Sequence, residues 1–169
     1  MKIISVDAET NGLWGEAFAI AAVVRENGVQ VAGFMGMCPI KGEVNEFVET
    51  MVLPELNKVP VTHNDYEDLL KNFVEFYKLH RDDSTCITHV GLPVEAKLFI
   101  DAHEKEYLGD WEAPFPLVDI SAIPEIGTSV DYYNKKHEIE VPVYDGGAHN
   151  PLYDCTAAAL AYEHWLANR

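Results

Sequence analysis

Positive charge is scarce in this sequence. It has 12 Lys and Arg against 28 Asp and Glu, for a formal net charge of −16 at pH 7. A chain this acidic repels polyanions at long range, which disfavours a protein that binds duplexes without specificity. An enzyme that holds divalent cations in an acidic pocket is still compatible with this charge, because bound metal reverses the local charge.

Cysteines are few, and long apolar segments are absent. Cys38, Cys86 and Cys155 lack the close spacing of a zinc site or a redox pair. No apolar run approaches the ~20 residues of a membrane helix, and the N-terminal stretch reaches Asp7 too soon for a signal peptide. We therefore expect reduced thiols and a cytoplasmic protein, with a single domain over residues 1–169.

Hydrophobic patterns along the chain predict an α/β domain on a mixed sheet. We expect five strands, the first three antiparallel and the rest parallel, flanked by helices on both faces. The predicted strands cover 1–9, 17–24, 29–37, 86–90 and 117–120, and the predicted helices cover 44–52, 65–79, 93–107, 129–137 and 151–167.

Two carboxylates lie close together at the end of the first predicted strand. Asp7 and Glu9 are two residues apart, so their side chains share a face. They stand at the strand's C-terminal end, where open α/β sheets bind ligands. Like charges this close repel unless a cation lies between them, and carboxylate oxygens suit Mg²⁺ or Mn²⁺. The pair is a candidate metal site, and an ordinary solvated strand end is the alternative.

A third acid lies at the start of the last predicted helix. Asn150 and Pro151 are typical of an N-cap and a first helical residue. Asp154 then falls one turn inside the helix, on a stripe of alanines that faces the sheet. An acid there is costly unless it is paired or metal-bound, although it could merely complement the helix dipole. His149, in the preceding loop, is placed to take a proton from water.

Glu95 is the fourth acid of interest. On the helix predicted over 93–107 it shares a stripe with Leu98 and Phe99, which indicates a carboxylate that points inward. A first-turn acid favoured by the helix dipole is the alternative interpretation. Asp101 falls well off the stripe and is expected to be solvated. Asp119 is expected to support the site from behind, or to be a simple strand-end acid.

These residues together resemble the DEDD-type 3′–5′ exonucleases, which include proofreading exonucleases, ribonuclease T and oligoribonuclease. The stretch Asp7-Ala8-Glu9-Thr10-Asn11-Gly12-Leu13 resembles their first motif, and His149 with Asp154 five residues later is similar to the last motif of the histidine-bearing (DEDDh) branch. The strand at 86–90, followed by a helix with an acid, occupies the place of the middle motif. The resemblance spans nearly the whole chain, and the short stand-alone form looks most like the bacterial ribonuclease AS group.

The sequence departs from the family at the middle motif. Members usually carry Asp after Phe there, whereas this chain has Val94 followed by Glu95. Glu is one methylene longer than Asp and can still reach a metal. Asp101 is the reserve candidate for this position.

The resemblance implies a role for each site residue. Asp7, Glu9, Glu95 and Asp154 would hold two divalent ions, Mg²⁺ or Mn²⁺, with His149 as the general base. Further along the first motif, Thr10, Leu13 and Trp14 would contact the terminal nucleotides of the substrate, although Trp14 could equally be an ordinary core or surface residue. The family also suggests a homodimer.

The resemblance implies a ribonuclease H-like fold, and the function expected from it is that of a metal-dependent 3′–5′ exonuclease. It would act on the 3′ ends of single-stranded RNA, in preference to DNA, and release nucleoside 5′-monophosphates. Two alternatives stay open. One is a DEDD-like nucleic-acid-binding module that has lost catalysis, and the other is a phosphodiesterase for short oligonucleotides or nucleotides.

One further segment combines aromatic residues with rare positive charge. Tyr132, Tyr133, Lys135 and Lys136 lie together on the helix predicted over 129–137. They could steer a nucleic-acid strand, and a solvated helix face is the alternative.

Overall fold

A five-stranded mixed sheet forms the centre of the protein, as the sequence predicts. The computed structural model describes residues 1–144, 147 and 149–169. The strands are β1 (Lys2–Thr10), β2 (Ala17–Glu26), β3 (Val29–Met37), β4 (Ser84–Thr88) and β5 (Val118–Asp119). Their order is β3-β2-β1-β4-β5. Strands β1 to β3 are antiparallel, whereas β4 runs parallel to both β1 and β5.

Helices cover both faces of this sheet. They are α1 (Tyr66–His80), α2 (Val94–Glu104), α3 (Val130–Lys136) and α4 (Pro151–Asn168). One apolar core joins β1 and β2 to α1 and α2, with Ile4 and Val6 at its centre. The other joins Ile3 to α3 and α4. Because side chains alternate along β1, Asp7 and Glu9 lie on the same face as Ile3, towards α4.

The start of α4 follows the sequence signals. The Asn150 side chain accepts a hydrogen bond from the Leu152 N–H at 3.0 Å, and Pro151 is the first helical residue. Beyond the first turn, Ala157, Ala158 and Ala161 are buried against the sheet. These small side chains let the helix approach closely, which brings its first turn to the end of β1.

The apolar spacing at 44–52 predicts an α-helix with one buried stripe. The prediction is wrong in the extent of the helix and in which side chains of this stripe are buried. The predicted stripe is Val44, Phe47, Val48, Met51 and Val52. Only a short π-helix forms, at Val48–Val52, where the Leu53 N–H donates to the Val48 carbonyl. A π turn takes about one residue more than an α turn, so side chains spaced for one face of an α-helix no longer point to the same side. Val48 and Val52 remain buried, whereas Phe47 and Met51 are exposed.

Element boundaries also differ from the sequence prediction. Strand β4, predicted over 86–90, lies at Ser84–Thr88, because the chain turns at Val90 and Gly91, whose N–H groups are bonded to Asp119. Strand β5 has only the two residues Val118–Asp119, and Ile120–Ala122 continue as a 3₁₀ turn because the Asp119 side chain caps the Ser121 N–H. Helix α2 ends at Glu104, where the prediction extends to 107. Among the described residues, no helix combines the length and apolarity needed to cross a membrane.

Candidate metal centre

Three carboxylates meet where the C-terminal end of β1 faces the first turn of α4. Asp7, Glu9 and Asp154 each offer an oxygen, and these oxygens lie within 4.8 Å of one another. All three side chains are half-buried. The alternation of β1 places Asp7 and Glu9 towards α4, and the alanine-lined approach of α4 brings Asp154 to them.

Burial and mutual repulsion make this cluster costly when it is fully ionised. Burial raises the pKa of Asp7 well above its usual range, and the charges of Glu95 and Asp154 add to the increase. Burial, with the charges of Asp154 and Glu95, raises the pKa of Glu9 to about 8. Burial likewise raises the pKa of Asp154 to about 7, although a hydrogen bond from the His149 N–H opposes it. A divalent cation among these oxygens would relieve the repulsion, so the donor set fits a hard metal ion.

These raised pKa values predict that the metal-free protein loses stability as the pH rises. A carboxyl with a raised pKa binds its proton more tightly in the folded than in the unfolded state, so its contribution is largest at low pH. We expect the loss to begin near pH 4, where carboxyls titrate in the unfolded chain. The part due to Glu9 should be complete above about pH 8, its raised pKa. Urea denaturation in EDTA between pH 5 and pH 9 measures this.

The general acidity of the chain acts in the same direction, so a control variant is needed. Glu9→Gln removes one raised pKa and should flatten the pH dependence, whereas exposed Asp82→Asn should leave it unchanged. Equal pH slopes for the wild type and Glu9→Gln would contradict the assignment.

His149 lies beside this cluster. Its Nδ1 is 3.7 Å from Glu9 Oε1, and its backbone N–H donates to Asp154 Oδ2 at 2.9 Å. Its backbone is left-handed, with φ of 67°. Its ring also meets Phe47 edge-on, with the ring centroids 6.1 Å apart. One oxygen of Asp154 therefore holds the backbone of His149 next to the cluster.

Glu95 reaches the same end of the sheet from the opposite face. It is buried, and its Oε1 accepts a hydrogen bond from the Ala8 N–H at 3.0 Å. The pairing of β1 with β4 ends at Ser5, so the Glu95 carboxylate takes the position that a neighbouring strand would otherwise fill. Burial raises the pKa of Glu95 to about 7, against the hydrogen bonds it accepts. Its charge acts on Asp7 and Glu9, but its carboxylate is not one of the three whose oxygens converge.

Asp119 holds the turn that leads to Glu95. It accepts hydrogen bonds from the Val90 and Gly91 N–H groups at 3.0 and 3.1 Å, and from the Ser121 hydroxyl at 2.6 Å. Val90 has φ of 59°, which is strained for a β-branched residue. Burial alone would raise the pKa of Asp119, but these hydrogen bonds hold it below its usual value. Ionised Asp119 therefore fixes the turn from which α2 begins.

Gly91 is required in this turn for space. A Cβ at this position would lie 2.2 Å from the Thr88 Cγ2 atom. The close approach lets α2 begin directly beside the end of β4.

The expectation that Asp101 is solvated is wrong. Its carboxylate accepts a hydrogen bond from the Tyr66 hydroxyl at 2.6 Å and pairs with Lys97. Its side chain is only 13% exposed, because α1 packs against α2 here. These partners hold Asp101 among the helices, and it is not part of the carboxylate cluster.

An apolar cavity of about 400 Å³ opens beside Glu9 and His149. Thr10 and Leu13, two of the residues predicted to contact substrate, line it, whereas Trp14 is 71% exposed and is not among its lining residues. Phe47 and Asn45 also line it, and the sequence analysis missed both. Asn11 draws their segment in by accepting from the Asn45 N–H at 2.8 Å.

A second, smaller cavity of about 190 Å³ touches the cluster from the other side. Asp7 and Asp154 form one wall, and Thr128, Ser129 and Asp131 at the start of α3 form another. The carboxylate cluster thus lies between two cavities. A cavity of about 620 Å³ lies against the start of α1 and contains none of the predicted site residues.

The fold is shared with a solved nuclease structure. The chain is similar to a structure described as "Exonuclease X in complex with 5′ overhanging duplex DNA", with a TM-score of 0.57 and 17% sequence identity. The match covers 98% of this chain and 92% of that one. Neither a protein-family model nor a curated protein sequence matches the chain. At this identity the likeness establishes the fold.

Proposed function

We propose that this protein is a metal-dependent 3′–5′ exonuclease that releases nucleoside 5′-monophosphates from single-stranded nucleic acid. The observation that carries the proposal is the convergence of Asp7, Glu9 and Asp154 at one end of β1, between two cavities. The exonuclease fold of the structural neighbour supports it.

The carboxylates supply the metal ligands in this proposal. Asp7, Glu9 and Asp154 would hold two divalent cations, Mg²⁺ or Mn²⁺, with Glu95 completing the site from behind. Bound there, such a pair would neutralise the phosphate, favour ionisation of the attacking water and stabilise the leaving oxygen. By the resemblance to the exonuclease family, Asp7 would be the central ligand of the pair, and both Asp7 and Asp154 also line the smaller cavity.

His149 is the general base. Its imidazole would take a proton from the water that attacks the terminal phosphorus, and the O3′ atom of the penultimate nucleotide would leave as a hydroxyl. The side chain is 42% exposed, so the proton can pass on to solvent. Because the His149 N–H is bonded to Asp154, the base stays next to the carboxylates.

The terminal nucleotide fits the apolar cavity. Leu13 and Phe47 offer apolar surfaces to a base, and Thr10 and Glu9 line the same cavity, with Glu9 also in the carboxylate cluster. Base stacking of this kind is worth about 1–3 kcal/mol. We infer that RNA is preferred to DNA, on the resemblance to stand-alone exoribonucleases, whereas the name of the structural neighbour mentions duplex DNA.

A substrate panel tests the proposed function. Short single-stranded RNA, matching DNA and dinucleotides are incubated with Mn²⁺ or Mg²⁺, and with EDTA as the control. We expect 5′-monophosphates released stepwise from 3′ ends, and faster from RNA. Binding without turnover in any metal would favour the non-catalytic module, and turnover of dinucleotides alone would favour the small phosphodiesterase.

Substitutions at Glu95 and Asp101 test which of the two is the fourth carboxylate of the metal site. Glu95→Gln should severely weaken metal-dependent hydrolysis, because the buried charge beside Asp7 is lost. Asp101→Asn should keep nearly normal turnover, because its partners are Tyr66 and Lys97. Steady-state rates across a Mn²⁺ titration measure both.

Glu95→Asp is the matched variant that keeps the charge. It should retain some activity if the shorter acid still reaches the metal, and lose most if α2 is set back to suit Glu. An inactive Asp101→Asn beside an active Glu95→Gln would overturn this assignment.

A further inference from the structure

The smaller cavity continues from the carboxylate cluster onto α3. Ser129, the N-cap of α3, lines this cavity beside Asp7 and Asp154. From Ser129, positions 132 and 136 follow at i+3 and i+7, so Tyr132 and Lys136 lie on the same side of the helix. Lys135 is next to them, in the last turn. The run from the cavity to the lysines is about 10 Å long, given 1.5 Å per residue.

The α3 surface differs in charge from the rest of this acidic protein. Lys135 and Lys136 are exposed and make no ion pair with any residue that the structure describes. Several other cations pair with acids, as in Arg25–Glu163, Lys78–Glu112 and Lys105–Glu67. Because the net charge is −16, most of the surface repels a polyanion. Two adjacent unpaired lysines near the carboxylate cluster are therefore a favourable place for a polyanion to bind.

Tyr132 and Tyr133 have different roles. Tyr133 is buried, and its hydroxyl lies 2.9 Å from His164 Nδ1 on α4, so it anchors the helix. Tyr132 is 69% exposed on the side that carries Lys136. An exposed aromatic ring beside cations is the composition of single-strand binding surfaces, in which rings stack on bases and lysines contact phosphates.

The positions of the two cavities indicate the direction in which the substrate strand leaves the site. If the terminal nucleotide occupies the apolar cavity beside Glu9 and His149, the scissile phosphate lies over the carboxylates. The rest of the strand must then leave on the other side, past Ser129 and Asp131. Asp131 accepts the Tyr153 hydroxyl at 3.0 Å and repels phosphate, so phosphate contacts belong further along α3, at the lysines.

We infer that the strand upstream of the scissile bond runs along α3, with Tyr132 stacking on a base and Lys135 and Lys136 contacting phosphates. This surface binds single-stranded polynucleotide and sets a preference for substrates longer than a dinucleotide. The inference rests on the proposed function, because it takes the polarity of the strand from it.

The test compares substrate lengths in two matched double variants. Lys135→Gln with Lys136→Gln removes two charges from α3. Lys71→Gln with Lys78→Gln removes two exposed charges from α1, which covers the other face of the sheet, and also removes the ion pair of Lys78 with Glu112. The kcat and KM values are measured on a dinucleotide and on a 12-nucleotide single strand, at several salt concentrations.

We expect the α3 variant to raise KM for the long strand while the dinucleotide values and kcat stay at the wild-type level. Its log KM should depend less steeply on log salt, by about 1.4, since each single-strand phosphate contact contributes about 0.7. The α1 variant should behave as the wild type. Tyr132→Ala should also raise only the long-strand KM, and Tyr132→Phe should restore it.

Other outcomes separate the two proposals. Equal effects of the α3 and α1 variants, or equal effects on both substrate lengths, overturn the α3 surface and leave the proposed function intact. A wild-type protein that hydrolyses neither substrate overturns the proposed function itself.

Discussion

Asp154→Asn is expected to abolish hydrolysis without unfolding the protein, and Asp7→Asn should do the same. Each substitution keeps the size of the side chain and removes one of the three converging charges that would hold metal. In EDTA at pH 8 or above, we expect each variant to melt at the same temperature as the wild type or higher, because one repelling carboxylate is gone. Mn²⁺ should then raise the melting temperature of the wild type far more than that of the variants.

The control for these substitutions is Asp82→Asn. Asp82 is 92% exposed at the opposite end of the sheet, so its loss should change neither activity nor the response to Mn²⁺. Near-normal turnover by Asp154→Asn or Asp7→Asn would show that the carboxylate cluster does not hold the catalytic metal.

His149→Ala should lower the hydrolysis rate by about 10²–10⁴-fold, the usual contribution of a positioned acid–base group. Affinities for metal and substrate should change little, because the imidazole is proposed as a base and not as a ligand. Its backbone N–H, which bonds to Asp154, survives the substitution. Single-turnover rates and a Mn²⁺ binding isotherm together measure the two effects.

His103→Ala is the matched histidine control. His103 lies on α2 and pairs with Asp110, away from the cluster, so hydrolysis should be unaffected. Loss of Mn²⁺ binding in His149→Ala would move His149 from base to ligand, and an unchanged rate would remove it from the mechanism.

The sheet and the end of β1 could be predicted from local patterns. Alternation along β1 identifies the face that carries Asp7 and Glu9, and Asn150 with Pro151 marks the start of α4. Both are short-range features, since alternation depends on the pleat and capping on the adjacent N–H groups. The position of each acid within its element followed directly.

Contacts between distant segments could not be predicted in this way. The helical spacing at 44–52 predicts an α-helix, and nothing local signals the π turn that moves Phe47 out of the core and towards His149. Asp101 looks solvated from its helical position because the pattern of α2 holds no information on Tyr66, 35 residues earlier. The hydrogen bonds of Asp119 likewise depend on the pairing of β4 with β5, two strands that are distant in the sequence.

The most direct test of the account is a crystal of this protein soaked in Mn²⁺ and measured at the manganese absorption edge. We predict two anomalous peaks about 4 Å apart, with oxygens of Asp7, Glu9 and Asp154 as the nearest protein ligands and Asp7 between the ions. An absence of peaks at these three carboxylates, or manganese bound only elsewhere, would contradict the proposed metal centre.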